Sequence, residues 1–219
     1  MPACFRHRDL LACRAFSLLE LLAGIGITAL LAAILLPMVG RMKAQAAETR
    51  CLANLRTLAQ GVSLYQAEHA GLLPPNYAFS GGTTEQIWTV VLRPYVGIDD
   101  LGRTGSGLDQ MAKILTCPSV SLATDKPTKW WESNYAAGLC FGSDGSSQRM
   151  AGRKASSTVM FMESKDKLRS MYATPLPWES VPYRHSDAVQ MVFLDGHTEA
   201  RKQADIPKSF DDPFWGAKP

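Results

Sequence analysis

None of the five cysteines, at positions 4, 13, 51, 117 and 140, forms a C-x-x-C pair, and no histidine stands at zinc-ligand spacing from them. Local spacing therefore argues against a structural zinc site. Nucleophile motifs are missing as well: Ser156, Ser157 and Ser164 lie in no G-x-S-x-G setting, so a hydrolytic triad has no sequence support. The glycine-rich stretch Gly102 to Gly107 lacks the Lys-Ser/Thr of a phosphate-binding loop, which leaves it a plain loop. No segment repeats, and no cofactor is implied. Basic charge is scarce: of the net +3, the first 15 residues supply +2 through Arg6, Arg8 and Arg14 against Asp9. The remainder is close to neutral, without the clustered basic face of a nucleic-acid-binding protein. With 46% hydrophobic residues, wholesale disorder is excluded.

The most informative absence is local. Between Leu21 and Gly40 there is no charged residue. Twenty residues at 1.5 Å each form a helix of about 30 Å, the thickness of a bilayer's hydrocarbon core. Basic residues ahead of this run favour a cytoplasmic N-terminus, with Arg41 and Lys43 on the far side weakening that asymmetry. Three processing modes fit the segment: an uncleaved signal anchor, a secretory signal cut at Ala44-Gln45-Ala46, or cleavage ahead of the helix. The apolar run is longer than a secretory h-region, and two basic residues separate it from the A-x-A site. Glu20 bears on the third mode. A carboxylate at the head of an apolar helix is costly in hydrocarbon, on the order of 2.5–3.5 kcal/mol at the bilayer centre, and calls for a partner.

Ala15-Phe16-Ser17-Leu18-Leu19-Glu20, behind a short basic leader and ahead of an apolar helix containing Pro37, resembles the N-terminus of type IV prepilins and type II secretion pseudopilins. The resemblance implies cleavage between Ala15 and Phe16 by a prepilin peptidase and N-methylation of Phe16. It also implies pairing of Glu20 with the N-terminal amine of a neighbouring subunit during assembly. Ala15 departs from the usual Gly but keeps a small residue at the cleavage site. Pro37, which has no backbone N–H, would kink or loosen the helix near the outer leaflet.

Helical signals continue past the apolar run. Leu52, Leu55, Ala59, Val62 and Tyr65 recur at spacings of three and four, marking one apolar face that needs a sheet to cover it. Gly71 and Pro74-Pro75 end the helix. Glu85 to Tyr95 reads as a short helix closed by Pro94. Beyond it, Lys113–Cys117, Ser133–Leu139, Thr158–Met162 and Val189–Leu194 read as strands bounded by turn residues. Leu194-Asp195-Gly196-His197 reads as a type I′ turn with two positive φ angles, followed by a half-exposed return strand, HTEARK. The Pro-rich stretch after Ile206 is a packed or loose extension.

The resemblance extends into this region. RCLANLRTLAQGVSLYQAEHAGLLPP, Leu-Thr-Cys-Pro-Ser and RHSDAVQMVFLDGH are similar to a group of bacterial prepilin-type proteins with a C-terminal H-x9-D-G motif, to which His185 and Asp195-Gly196 correspond. It also carries Cys51 and Cys117, but not Cys140, and so implies a disulfide between those two. His185, Asp187, Asp195 and His197 offer an alternative set of metal ligands, but acidic ligands are too few for a calcium loop. The motif is expected to be structural, with His185 pinning the base of the hairpin, and no metal site is assigned.

The expected fold is α+β and pilin-like, a long N-terminal helix, half of it transmembrane, packed on a small antiparallel sheet. Residues 1–15 form a leader, 16–40 the transmembrane helix, 41–75 its amphipathic continuation and 76–219 an extracytoplasmic domain. The expected function is a structural subunit, not an enzyme, of a type II secretion pseudopilus or type IV pilus-like filament. It would sit in the bacterial inner membrane as a single-pass protein, with prepilin peptidase and other pilin or pseudopilin subunits as partners. The alternative is a membrane-tethered carbohydrate- or surface-binding module, for which Trp88, Trp130, Trp131, Trp178 and Trp215 are the candidate aromatics; core packing competes for most of them.

Overall fold

The computed structural model describes residues 17–76, 87–98, 113–120, 132–141, 149–150, 152–165, 167 and 176–216. The first helix, α1, runs from Leu18 to Glu68 and passes unbroken through Pro37. The chain divides into two compact units, Met1–Lys43 and Ala44–Pro219. In the first, the α1 side chains Leu18, Leu19, Leu21, Leu22, Ile25, Ile27, Leu30 and Leu31 are all exposed. This helix is long and apolar enough to cross a membrane. In the second unit, α1 buries Cys51, Leu55, Leu58, Ala59, Gly61, Val62 and Tyr65. The buried stripe is the expected one, except that Cys51, Leu58 and Gly61 join it and Leu52 is only half-buried.

A four-stranded antiparallel sheet faces that stripe, in the order β1 (Tyr135–Ala137), β2 (Val159–Glu163), β3 (Ala188–Phe193) and β4 (Thr198–Lys202). Three of the four expected strand segments are strands. The fourth is corrected: residues 113–115 are helical. A five-residue segment with three apolar residues cannot separate a strand from one helical turn by periodicity, and Pro118 follows at once. Likewise the helix expected over Glu85 to Tyr95 shortens to α2 (Trp88–Val91) plus a 3₁₀ turn at Pro94–Val96, closed by Gly97 at φ +78°.

Both faces of the sheet are covered, which is why β1, β2 and β3 are buried throughout, while the edge strand β4 is half-buried to exposed along its length. Side chains alternate across the pleat. Tyr135, Ala137, Phe161 and Val192 join α1 and Trp88 in one cluster. Ala136, Met162, Val189, Met191 and Phe193 meet Ile206, Phe214 and Trp215 in the other. The stretch after Ile206 is thus packed. Its backbone pairs with the sheet, Leu139 N–H donating to Trp215 O at 3.0 Å and Val159 N–H to Phe214 O at 2.8 Å. Polar contacts seat the helix on the opposite face: Asn54 Nδ2 donates to Lys113 O, Thr116 O and Tyr135 Oη, each at 3.2 Å, and Gln190 Nε2 to Glu48 Oε1 at 2.8 Å.

The turn between β3 and β4 is not type I′. Gly196 has φ +88°, but Asp195 does not lie in the positive-φ region. Gly196 N–H donates to Phe193 O and Phe193 N–H to His197 O, both at 2.9 Å. That is the pattern of a three-residue loop with a left-handed third residue. Asp195 instead spends its side chain on the loop, accepting from His197 N–H at 3.1 Å. The two consecutive positive φ angles occur nine residues earlier, at Ser186 (+52°) and Asp187 (+61°). There His185 and Ala188 exchange both backbone hydrogen bonds, at 3.2 and 2.9 Å.

Candidate functional site

The His and Asp-Gly of the C-terminal motif mark opposite ends of β3. The five steps between the six residues of β3, at about 3.4 Å each, separate those ends by about 17 Å, so the motif is not a single site. Asp195 and His197 form an exposed local pair. Partial burial pushes the Asp195 carboxyl up, but hydrogen bonds from the His197 ring and backbone outweigh it and hold the group below its ordinary value. His185 points elsewhere. The alternative ligand set in the sequence, His185, Asp187, Asp195 and His197, is not brought together.

The structure gathers a different set. Cys51 on α1, Cys117 in the segment ahead of β1, Glu163 at the end of β2 and His185 just before β3 place their ligand atoms within 4.8 Å of one another. All four are buried, Cys51, Cys117 and Glu163 completely and His185 to 3% exposure. They lie between α1 and the sheet. Cys51 belongs to the buried stripe of the helix. Glu163 follows Phe161 by two residues, so the pleat turns it to the same, helix-facing side.

His185 Nε2 lies 2.9 Å from Glu163 Oε1 and 3.5 Å from Cys117 Sγ. The second carboxylate oxygen, Oε2, accepts from Gln190 N–H at 3.0 Å. His185 Nδ1 lies 3.5 Å from Ser119 Oγ, and Cys117 N–H donates to Asn134 Oδ1 at 3.3 Å. Every charge-bearing atom of the cluster thus has a partner, as burial requires. Burial pushes the His185 imidazole down, but its hydrogen bonds to Cys117 and Glu163, with the Glu163 charge, outweigh this and hold it up to about 10. The hydrogen bond with Cys51, then burial, push the Cys117 thiol far up. Burial, followed by the two cysteines, raises the neighbouring Tyr135 hydroxyl.

A cysteine, a histidine and a carboxylate invite comparison with a nucleophilic relay, but the geometry is different. A relay places the thiol on one ring nitrogen and the carboxylate on the other. Here the same nitrogen, Nε2, faces both.

Cys51 and Cys117 are neighbours, and both are free thiols in this structure rather than joined. Cys140 is also free, apart from the cluster, its Sγ directed at Val159 O at 3.5 Å; burial pushes it up to about 12. Glu20 and Pro37 lie on the exposed, membrane-length part of α1. The cleavage pair Ala15 and Phe16 lies outside the described residues, as do Trp130 and Trp131. Of the other tryptophans, Trp88 and Trp215 are fully buried, and half-buried Trp178 packs on Phe210 and Trp215. These three serve the core.

Sequence reasoning missed Glu163 altogether. The signal available was an acidic residue closing an otherwise apolar strand, Val-Met-Phe-Met-Glu, since a carboxylate is almost never fully buried unless paired. No family model, no curated protein and no solved structure matches the chain.

Proposed function

We propose that the protein is a prepilin-type subunit of a type II secretion pseudopilus or a type IV pilus-like filament, acting by assembly rather than catalysis. In this reading a prepilin peptidase cuts between Ala15 and Phe16, and α1 then anchors the chain in the bacterial inner membrane with its N-terminus cytoplasmic. The unit from Ala44 onward is extracytoplasmic. The observation that carries the reading is one helix serving two environments. Its first half is apolar on all sides and exposed, with Glu20 in its first turn, while its second half is a core element of the α+β unit.

The acid in the first turn supplies the chemistry of assembly. A carboxylate at the head of an apolar helix and a newly formed N-terminal amine on a neighbouring helix each relieve the other's desolvation. The pair is therefore a latch between subunits and has no role within one. Replacing Glu20 by Ala leaves the helix more apolar, so membrane insertion is expected to survive while incorporation into filaments falls. Membrane fractionation and immunoblotting of sheared filaments measure the two separately. Normal incorporation of the Ala variant would remove the latch from the account.

A further inference from the structure

Four good ligands from four separate segments share one dry point, and nothing in the assembly role uses them. We propose that Cys51 Sγ, Cys117 Sγ, Glu163 Oε1 and His185 Nε2 form a closed, four-coordinate site for a thiophilic divalent cation, with zinc the first candidate. The inference does not depend on the filament reading. Around a tetrahedral zinc, bonds of about 2.0–2.3 Å put neighbouring donor atoms about 3.3–3.8 Å apart. The four atoms here span 2.9 Å, between His185 and Glu163, to at most 4.8 Å. A closure of up to about 1 Å across the widest gap, with an opening of about 0.4 Å between His185 Nε2 and Glu163 Oε1, would complete the geometry.

The donor set also selects the ion. Two thiols and an imidazole favour zinc over calcium or magnesium, which prefer oxygen ligands throughout. Outer partners are already placed, as metal sites require. Gln190 N–H holds the free oxygen of Glu163, Ser119 Oγ faces the far nitrogen of His185, and Asn134 Oδ1 fixes the Cys117 backbone. Ligation balances simply: the cation enters as the protons on both Sγ atoms and on Nε2 leave to the buffer, and no redox step is involved. A Cys51–Cys117 disulfide would consume the same two sulfurs, so the two states exclude each other.

The test uses the full chain in detergent micelles, reduced and chelator-treated. Zinc is titrated in competition with a chromophoric chelator, and cobalt(II) is added separately as a spectroscopic probe. One equivalent of zinc per chain is expected. Cobalt should give intense tetrahedral d–d bands and a thiolate-to-metal charge-transfer band. Cys51→Ser and Cys117→Ser should each weaken binding by more than the roughly 10–100-fold that losing an outer partner costs, whereas Cys140→Ser should leave the stoichiometry unchanged. The wild-type cobalt spectrum decides the matter even where a variant fails to fold. Octahedral cobalt, no stoichiometric zinc uptake by the reduced chain, or undiminished binding in Cys51→Ser would overturn the proposal. So would protein isolated from cells two hydrogens lighter with Cys51 and Cys117 joined.

Discussion

Replacing Glu163 by Ala is expected to destabilise the unit from Ala44 onward by about 3–5 kcal/mol in chelator-treated protein, the cost of breaking a buried ion pair from one side. The carboxylate is completely buried. It holds His185 Nε2 through one oxygen and Gln190 N–H through the other. Its loss strands both donors where water does not reach, and each unsatisfied donor adds roughly 1–3 kcal/mol. Denaturant melting of a chain beginning at Ala44, followed by circular dichroism, gives the number. Pairing the change with His185→Leu separates the interaction from general disruption. The double variant should recover part of the loss, because it removes the stranded imidazole together with its partner. A Glu163→Ala variant within about 1 kcal/mol of wild type would show that the pair does not hold the end of β2 to the start of β3.

The second large effect concerns the two environments of α1. Leu55→Ala and Leu58→Ala are each expected to cost about 2–5 kcal/mol, the range for truncating a fully buried leucine whose site cannot collapse. Both side chains are completely buried in the cluster that also contains Trp88, Tyr135 and Phe161. Leu64, on the same helix but exposed, serves as the control, and its Ala variant should stay within about 0.5 kcal/mol of wild type. Equal effects at all three positions would mean that the second half of the helix does not pack through the stripe described. A strong loss at Leu55 and Leu58 alone ties the membrane-length helix to the folding of the α+β unit.

Much of this architecture was legible in the residues. The uncharged run from Leu21 to Gly40 and the stripe from Leu55 to Tyr65 mark the helix because amphipathic and apolar patterns are local properties of the chain. Strands β1, β2 and β3 are legible because short apolar runs, rich in Val, Met and Phe in β2 and β3 and Tyr-Ala-Ala in β1, lie between turn residues. Turn chemistry was harder. Asp195-Gly196 suggested two positive φ angles, yet only Gly196 takes one, because the Asp195 side chain spends its hydrogen bonds on His197. Ser186-Asp187 takes two positive angles without a glycine, a conformation disfavoured for side-chain-bearing residues and therefore silent in sequence. The buried cluster was the least visible feature. The resemblance links Cys51 to Cys117 and the motif singles out His185, but local spacing cannot reveal ligands contributed by four separate segments. Glu163 sits in an apolar strand where no short motif points to it. Its role appears only when β2 places its last side chain under α1.

The central claim, that the chain is processed and assembled as a prepilin-type subunit, is tested most directly by the intact mass and N-terminal sequence of the protein recovered from membranes of cells carrying a prepilin peptidase. The account predicts loss of residues 1–15 and the addition of one methyl group, with Phe16 at the N-terminus. A chain beginning at Met1, or at Ala47 after cleavage at Ala44-Gln45-Ala46, would contradict it.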